Sequence, residues 1–354
     1  MKKLVSKLGL VALALVLVMT LFTGCQQAEE KKELVIFSWA DYVPSDIIDE
    51  FEEQYGVTVT YNYFTNPDEA LQKLASVDGG EYDIVINSDY TIDIARKEGL
   101  LMELDKSKIP NYEKLNPAYL SQFYDPDNLY TVPYVPGTPL IIYDPSKVDI
   151  EITGYNSLWD ESLKDSIVLL DYDRVMIGLV LKSMGYSLNE TDPDILAQAE
   201  EKLLALKPNV RALNMDTPYE TMLSGEATVG LMFGSQVAWV YGERPDFKVV
   251  YPEEGMGFGI DCAFIPKNAP HPDVAHEFLN FICDPEISAR ISMNENVMAI
   301  NCNLESEPYL SEEYLSNPAL FIPTEMLGEK EFIEDIGAEA SEMYAEIWNR
   351  FKQA

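Results

Sequence analysis

Beginning at residue 34, one device recurs along the chain: a short run of apolar or alternating residues, a polar turn, then a stretch with apolar side chains at helical spacing. Leu34-Val35-Ile36-Phe37 suits a buried strand, and residues 44–55, with Ile47, Ile48 and Phe51, suit a helix. Residues 57–64 alternate like a second strand, 68–76 read as a helix, and Asp83-Ile84-Val85-Ile86 as a third strand. A further helix over 90–98 is closed by Gly99. Strands separated by helices imply a parallel-type sheet with its ligand crevice beyond the carboxyl ends of the strands. The loops at 38–43 and 87–90 are therefore the ones expected to carry chemistry.

At 354 residues the chain exceeds one ordinary core, and two domains of roughly 150 residues are expected. A second α/β region follows the turn-rich Pro133-Tyr134-Val135-Pro136-Gly137, with a strand at 167–170 and a helix reaching about Met184. Asp192-Pro193 predicts an N-cap and first helical position before 195–206, and Thr217-Pro218 repeats the device before 219–224. Residues 229–233 read as a buried strand. The glycine-rich segment 255–259 precedes a strand at 262–265 and helices at 272–282 and 285–293. No internal repeat or low-complexity linker interrupts this order. Two lobes joined by more than one chain crossing account for the lack of a loose tether.

Ahead of residue 34 the pattern is different. Lys2, Lys3 and Lys7 precede an apolar segment from Leu8 to Leu21, about 14 residues against the roughly 20 that a spanning helix needs, so it reads as a signal peptide. Leu21-Phe22-Thr23-Gly24-Cys25 resembles the bacterial lipoprotein signal, which makes 1–24 the removed segment and Cys25 the acylated residue. The polar run 26–33 then continues from Cys25 as a tether. The whole chain carries a formal charge of −35, which repels a phosphate backbone and excludes nucleic acid as a partner. Cys262, Cys283 and Cys302 are widely spaced and lack a C-x-x-C pair, which argues against zinc and leaves one disulfide or buried free thiols.

Motifs for catalysis are missing: there is no phosphate loop, no H-E-x-x-H and no G-x-S-x-G. Asp171 and Asp173 are the one acidic pair on which a secreted hydrolase could be built, although the chain holds 60 acids and neighbouring ones arise by chance. The crevice loops instead mix rings with acids, in Ser38-Trp39-Ala40-Asp41-Tyr42 and Asn87-Ser88-Asp89-Tyr90. An ammonium group on an aromatic face gains about 0.5–2 kcal/mol, and a carboxylate adds a charge-assisted hydrogen bond. Such loops suit amine recognition, and a carbohydrate site would look similar. Packing beneath a loop explains Trp39 and Tyr42 equally well, and helix capping explains Ser88 or Asp89.

Phe37-Ser38-Trp39-Ala40-Asp41-Tyr42-Val43-Pro44, residues 82–90 and Arg96-Lys97-Glu98-Gly99-Leu100 resemble the spermidine/putrescine-binding proteins of bacterial ABC importers. The likeness continues through 104–108, 125–128, 225–227 and 335–338. It implies an α/β periplasmic-binding-protein fold of type II, two lobes closing over a ligand. The implied lobes are 34–136 with 261–304, and 137–260 with 305–354. It also implies a polyamine ligand, a permease with its ATPase as partners, a membrane reached through the lipid anchor, no cofactor, no metal and no catalysis.

Carried over by position, the resemblance makes Trp39 and Tyr42 aromatic walls, Asp41 and Asp261 acids meeting amines at the two ends, and Ser88 and Tyr90 polar and aromatic lining. Phe233 stands where Trp is usual. Asp171-Tyr172-Asp173 covers the central acidic segment, with Tyr172 where an acid is usual. Val175 replaces a typical Glu, Gly259 a typical Trp, and the stretch near Met298 lacks the expected Tyr. This is compatible with a shorter amine or with another small polar solute, for instance an anion met by Arg174.

Overall fold

The computed structural model describes residues 32–323, 326 and 331–354. The signal segment, Cys25 and the tether up to residue 31 lie outside the described residues. Eleven strands form two sheets. In the first, β1 (Lys32–Trp39) lies between β2 (Val57–Phe64) and β3 (Ile84–Ser88), parallel to both. The strand β10 (Gly257–Phe264) pairs antiparallel with β3 on one side and with β4 (Thr131–Gly137) on the other, while β11 (Glu331–Phe332) adds parallel to the start of β10. The second sheet runs β7-β6-β8-β5-β9, with β5 (Pro139–Tyr143), β6 (Ile167–Leu169), β7 (Val210–Leu213), β8 (Val229–Phe233) and β9 (Lys248–Val250).

The period of two along β1 divides its burial between layers. Leu34 and Ile36 face the helices Ser45–Tyr55 and Pro272–Ile282 in a cluster with Ile47, Phe51 and Phe278. Phe37 turns to the opposite face, stacking on Tyr82 at 4.4 Å and meeting Phe64 edge-on at 5.1 Å. Each such buried side chain contributes roughly 1.5–3 kcal/mol relative to exposure.

The helix and strand spans read from the first hundred residues agree with the structure to within a few residues. The parallel-type sheet does not hold throughout: β10 and β4 run against β3, so both sheets are mixed. The segment 133–137, expected as turns, is part of strand β4. Its prolines are tolerated because β4, paired among the described residues with β10 alone, is an edge strand. Likewise β10 begins at Gly257 rather than Cys262, its glycines lying inside the strand. Asp192 caps its helix as expected, accepting from the amides of Asp194 and Ile195, but Thr217 makes no side-chain cap bond. Asn214 takes over there, accepting from the Thr217 amide at 3.0 Å. The three cysteines are free and buried.

The chain passes between sheets at Thr138, the single residue separating β4 from β5, and returns over 251–256. Thr138 is fully buried, and its hydroxyl donates to the Gly257 carbonyl at 2.6 Å, joining the two crossings. A further contact with elements of the second sheet comes from the segment that holds Asn317 and Pro318. Along it Asn317 donates to Ala238 O at 3.0 Å, and Tyr251 donates to Pro318 O at 2.7 Å. After β11, the helix Gly337–Gln353 packs on the helices Asp173–Ser183 and Pro193–Leu206 beside the second sheet.

Candidate functional site

The ends of β1 and β3 deliver Trp39 and Ser88 to one edge of the first sheet, and the antiparallel register of β10 sets Asp261 directly opposite Ser88. The loop after β1 turns back at Asp41, whose φ of 55° is a left-handed conformation that Asp tolerates better than most residues. This turn carries Tyr42 over Asp261, and its hydroxyl donates to Asp261 Oδ2 at 2.7 Å. Tyr134, from the edge strand β4, packs edge-on against Tyr42 at 5.4 Å and donates its hydroxyl to the Tyr42 carbonyl at 2.7 Å. Tyr61 holds the other side of the loop by donating to the Trp39 carbonyl at 2.7 Å. The Trp39 ring leans on Phe64 at 4.7 Å, and its buried indole N–H has no hydrogen-bond partner among the described residues.

Two carboxyl groups meet at the Ser88–Asp261 pair, those of Asp261 itself and of Asp89. Burial raises the pKa of Asp261, opposed by hydrogen bonds from Tyr42 and Ser88. Asp89, buried beneath, accepts from the amides of Tyr90 at 2.8 Å and Ile260 at 3.1 Å. Burial, then the neighbouring Asp261, pushes its carboxyl well above the ordinary range. Tyr42 and Tyr134 are likewise raised by burial first, and both feel the Asp261 charge. The site thus gathers two carboxyl groups beside aromatic rings, partly open at Asp261 and Tyr42, a setting in which a protonated amine gains a charge-assisted hydrogen bond and draws the carboxylate form out.

From the second sheet, the turn after β6 contributes Tyr172 and Asp173. Tyr172 acts on the Tyr90 hydroxyl across the division between sheets, and Asp68, from the first turn of the helix Pro67–Ser76, acts on both. Asp173 accepts from the Arg174 amide at 2.7 Å, at the start of its own helix.

Asp171 and Arg174 are engaged elsewhere. Asp171 accepts from the Trp348 indole at 2.7 Å and from Lys352 at 3.2 Å, which ties it to the C-terminal helix rather than to Asp173. Arg174 is likewise engaged, donating to the carbonyls of Leu188 at 2.8 Å and Glu334 at 3.0 Å and to the Asn189 side chain, with Tyr344 beneath it. Asp41 is exposed on its loop. Phe233 ends β8, half-buried, opposite Pro139 at the Thr138 crossing. Val175 is buried in the helix Asp173–Ser183, whereas Gly259 lies two residues from Asp261 on β10. Met298 lines a groove of about 420 Å³ with Tyr219, Trp239, Glu243 and Glu313.

Sequence reasoning passed over Tyr134 because Pro133 and Pro136 read as turn signals, and over Asp68 and Asp89 because each sits where a helix-capping acid is ordinary. The histidines are engaged within the first lobe: His276 accepts from the Asp105 amide at 3.0 Å, and His271 pairs with buried Asp83 at 3.0 Å. Among the described residues no group of three or more His, Cys, Asp or Glu side chains could hold a metal ion.

Mixed sheets linked by several crossings, with a polar, ring-lined edge where they meet, define a two-lobed solute receptor. The chain belongs to the bacterial extracellular solute-binding proteins, whose family profile matches residues 46–322. The spermidine/putrescine-binding periplasmic protein of Escherichia coli K12 is 32% identical over 326 residues, covering 92% of this chain and 93% of the relative. The spermidine/putrescine ABC transporter substrate-binding protein PotD of Streptococcus pneumoniae has a crystal structure that superposes with a TM-score of 0.82 at 32% identity, over 91% of this chain and 99% of that one. A lipoprotein of Treponema pallidum superposes at 0.79 with 26% identity, over 90% and 99% of the two chains. These relatives are solute-binding components of transport systems rather than named enzymes. Among the described residues no helix is long and apolar enough to cross a membrane.

Proposed function

We propose that this protein is the extracytoplasmic receptor of an ABC importer, that it captures a polyamine, putrescine or spermidine, between its two lobes, and that it presents the loaded form to a permease and its ATPase. The observation carrying this reading is the Asp261 carboxyl, held by Tyr42 and Ser88 at the edge where both sheets supply rings. In water-excluded surroundings an unpaired charge costs several kcal/mol, so such an acid is matched best by a buried ammonium. Trp39, Tyr42, Tyr90, Tyr172 and Phe233 are the ring surfaces for the methylene chain. Asp261 receives one ammonium, Ser88 lends a hydroxyl, and Asp41 and Asp173 are the acids available to the other. The bonds of Asp171 assign it to anchoring the C-terminal helix. The lobes are 34–136 with 261–304, and 137–260 with 305–354, although Gly137, residues 257–260 and β11 pair into the first sheet. Acylated Cys25 holds the receptor at the membrane, and no bond-breaking step is part of its task.

Relatives that bind spermidine or putrescine support the cargo, and the lipoprotein among them supports the anchor. An anionic cargo is disfavoured because Arg174 is already engaged by carbonyl and amide oxygens. The test is calorimetric titration with putrescine, spermidine, spermine and a set of amino acids, alongside thermal melting. A ligand at a hundredfold over its Kd stabilises the folded state by about 2.7 kcal/mol. If neither putrescine nor spermidine raises the Tm at about a hundredfold over a micromolar Kd, the polyamine reading is wrong.

A further inference from the structure

Glycine is needed where φ is positive or where a Cβ would collide, and Gly259 meets neither condition. Its φ is not positive, and a Cβ built on it finds nothing within 4 Å. The same holds for Gly137, its register partner across β4 and β10. A glycine inside a strand weakens it, so two facing one another without a backbone requirement leave a bare stretch of sheet. Its position is informative. Gly259 lies two residues before Asp261 on one strand, so their side-chain directions share a face, about 7 Å apart at the rise of a β-strand. The burial of β10 agrees: Phe258 and Ile260 point into the core, whereas Gly259 and Asp261 are partly open. Beside the carboxyl group that receives an ammonium there is therefore unfilled space, floored by backbone alone. Tyr42 and Ser88 bond the same carboxyl, and Tyr134 backs the Tyr42 ring.

We propose that the facing pair Gly137 and Gly259 sets ligand choice, leaving room beside Asp261 for an amine that carries a bulky substituent on the bound nitrogen. The inference rests on the polyamine reading and specifies its substrate class: N-substituted diamines and triamines as well as the unsubstituted chains. A linear primary amine leaves the bare floor uncovered, whereas an N-alkyl or N-aryl group covers it without displacing any side chain. A branched residue at 259 would occupy the same volume.

The experiment compares putrescine with N-benzylputrescine by calorimetric titration of the full-length protein and of the Gly259→Leu and Gly259→Ala variants. The wild type is expected to bind the two ligands within about tenfold of each other, because the substituent meets no clash. Gly259→Leu is expected to weaken N-benzylputrescine by at least about tenfold while changing putrescine by less than about threefold, and Gly259→Ala to change neither appreciably. Wild-type rejection of N-benzylputrescine by about a hundredfold or more overturns the proposal without any variant, as does an equal loss of both ligands in a Gly259→Leu protein that melts normally. Should the wild type bind neither ligand, the polyamine reading itself fails, an outcome the putrescine arm distinguishes.

Discussion

Replacing Asp261 with Asn separates recognition from stability, because the two respond in opposite directions. Asn keeps an oxygen to accept from the Tyr42 hydroxyl, now 2.7 Å from Oδ2, so the loop after β1 retains its tie to β10. What is lost is the charge. Leaving a desolvated ammonium without its counter-charge costs about 3–5 kcal/mol, which weakens polyamine binding by about two to four orders of magnitude. The empty protein gains instead, since burial disfavours the Asp261 carboxylate and neighbouring Asp89 feels its charge. Relieving even about 1 kcal/mol of that penalty raises the Tm by about 1.4 °C for a chain of this size. The assay is a pair of measurements on one sample, a melting curve without ligand and a calorimetric titration with putrescine. An unchanged Kd refutes the placement of the ammonium. A steep fall in the ligand-free Tm refutes the claim that Asp261 is retained for binding at the expense of stability.

Other consequences follow from the same structure. Phe51→Ala removes a fully buried ring packed at 5.1 Å on Phe278 and 5.4 Å on Phe281, and is expected to destabilise by about 3–5 kcal/mol in chemical denaturation while putrescine affinity in the folded fraction is unchanged. Asp192→Ala removes a cap that accepts from two amides and is expected to cost about 1 kcal/mol, against less than about 0.5 kcal/mol for Thr217→Ala; equal losses would contradict the capping assignment. The Trp348 indole, then Lys352, lowers the pKa of Asp171 below its unfolded value, so its contribution is present above that value and is lost as pH falls through the folded one. Asp171→Asn should therefore flatten the acid limb of the stability profile without altering putrescine binding near neutral pH; a loss of binding would return Asp171 to the ligand.

Local patterning revealed the elements over residues 34–100 because both periodicities are present: β1 sends Leu34 and Ile36 to one layer and Phe37 to the other, and the helix Ser45–Tyr55 turns Ile47 and Phe51 inward. The strand direction of β10 was not legible, since antiparallel pairing with β3 depends on a partner some 170 residues away rather than on its own composition. The same non-locality hid the site. Asp261 and Tyr42 are separated by 219 positions and meet only through the β3–β10 register. Asp171 and Asp173, neighbours in sequence, part because a turn sends one to the C-terminal helix and the other to a helix start. The prolines of β4 misled because an edge strand permits what a central one forbids.

Thr138 gives the chain a mechanical rule. Its buried hydroxyl on the Gly257 carbonyl ties the outgoing and returning segments to each other, so that displacing one without the other costs that hydrogen bond, about 1 kcal/mol. Thr138→Val removes the donor while nearly keeping the volume, and leaves the two crossings free to shift independently.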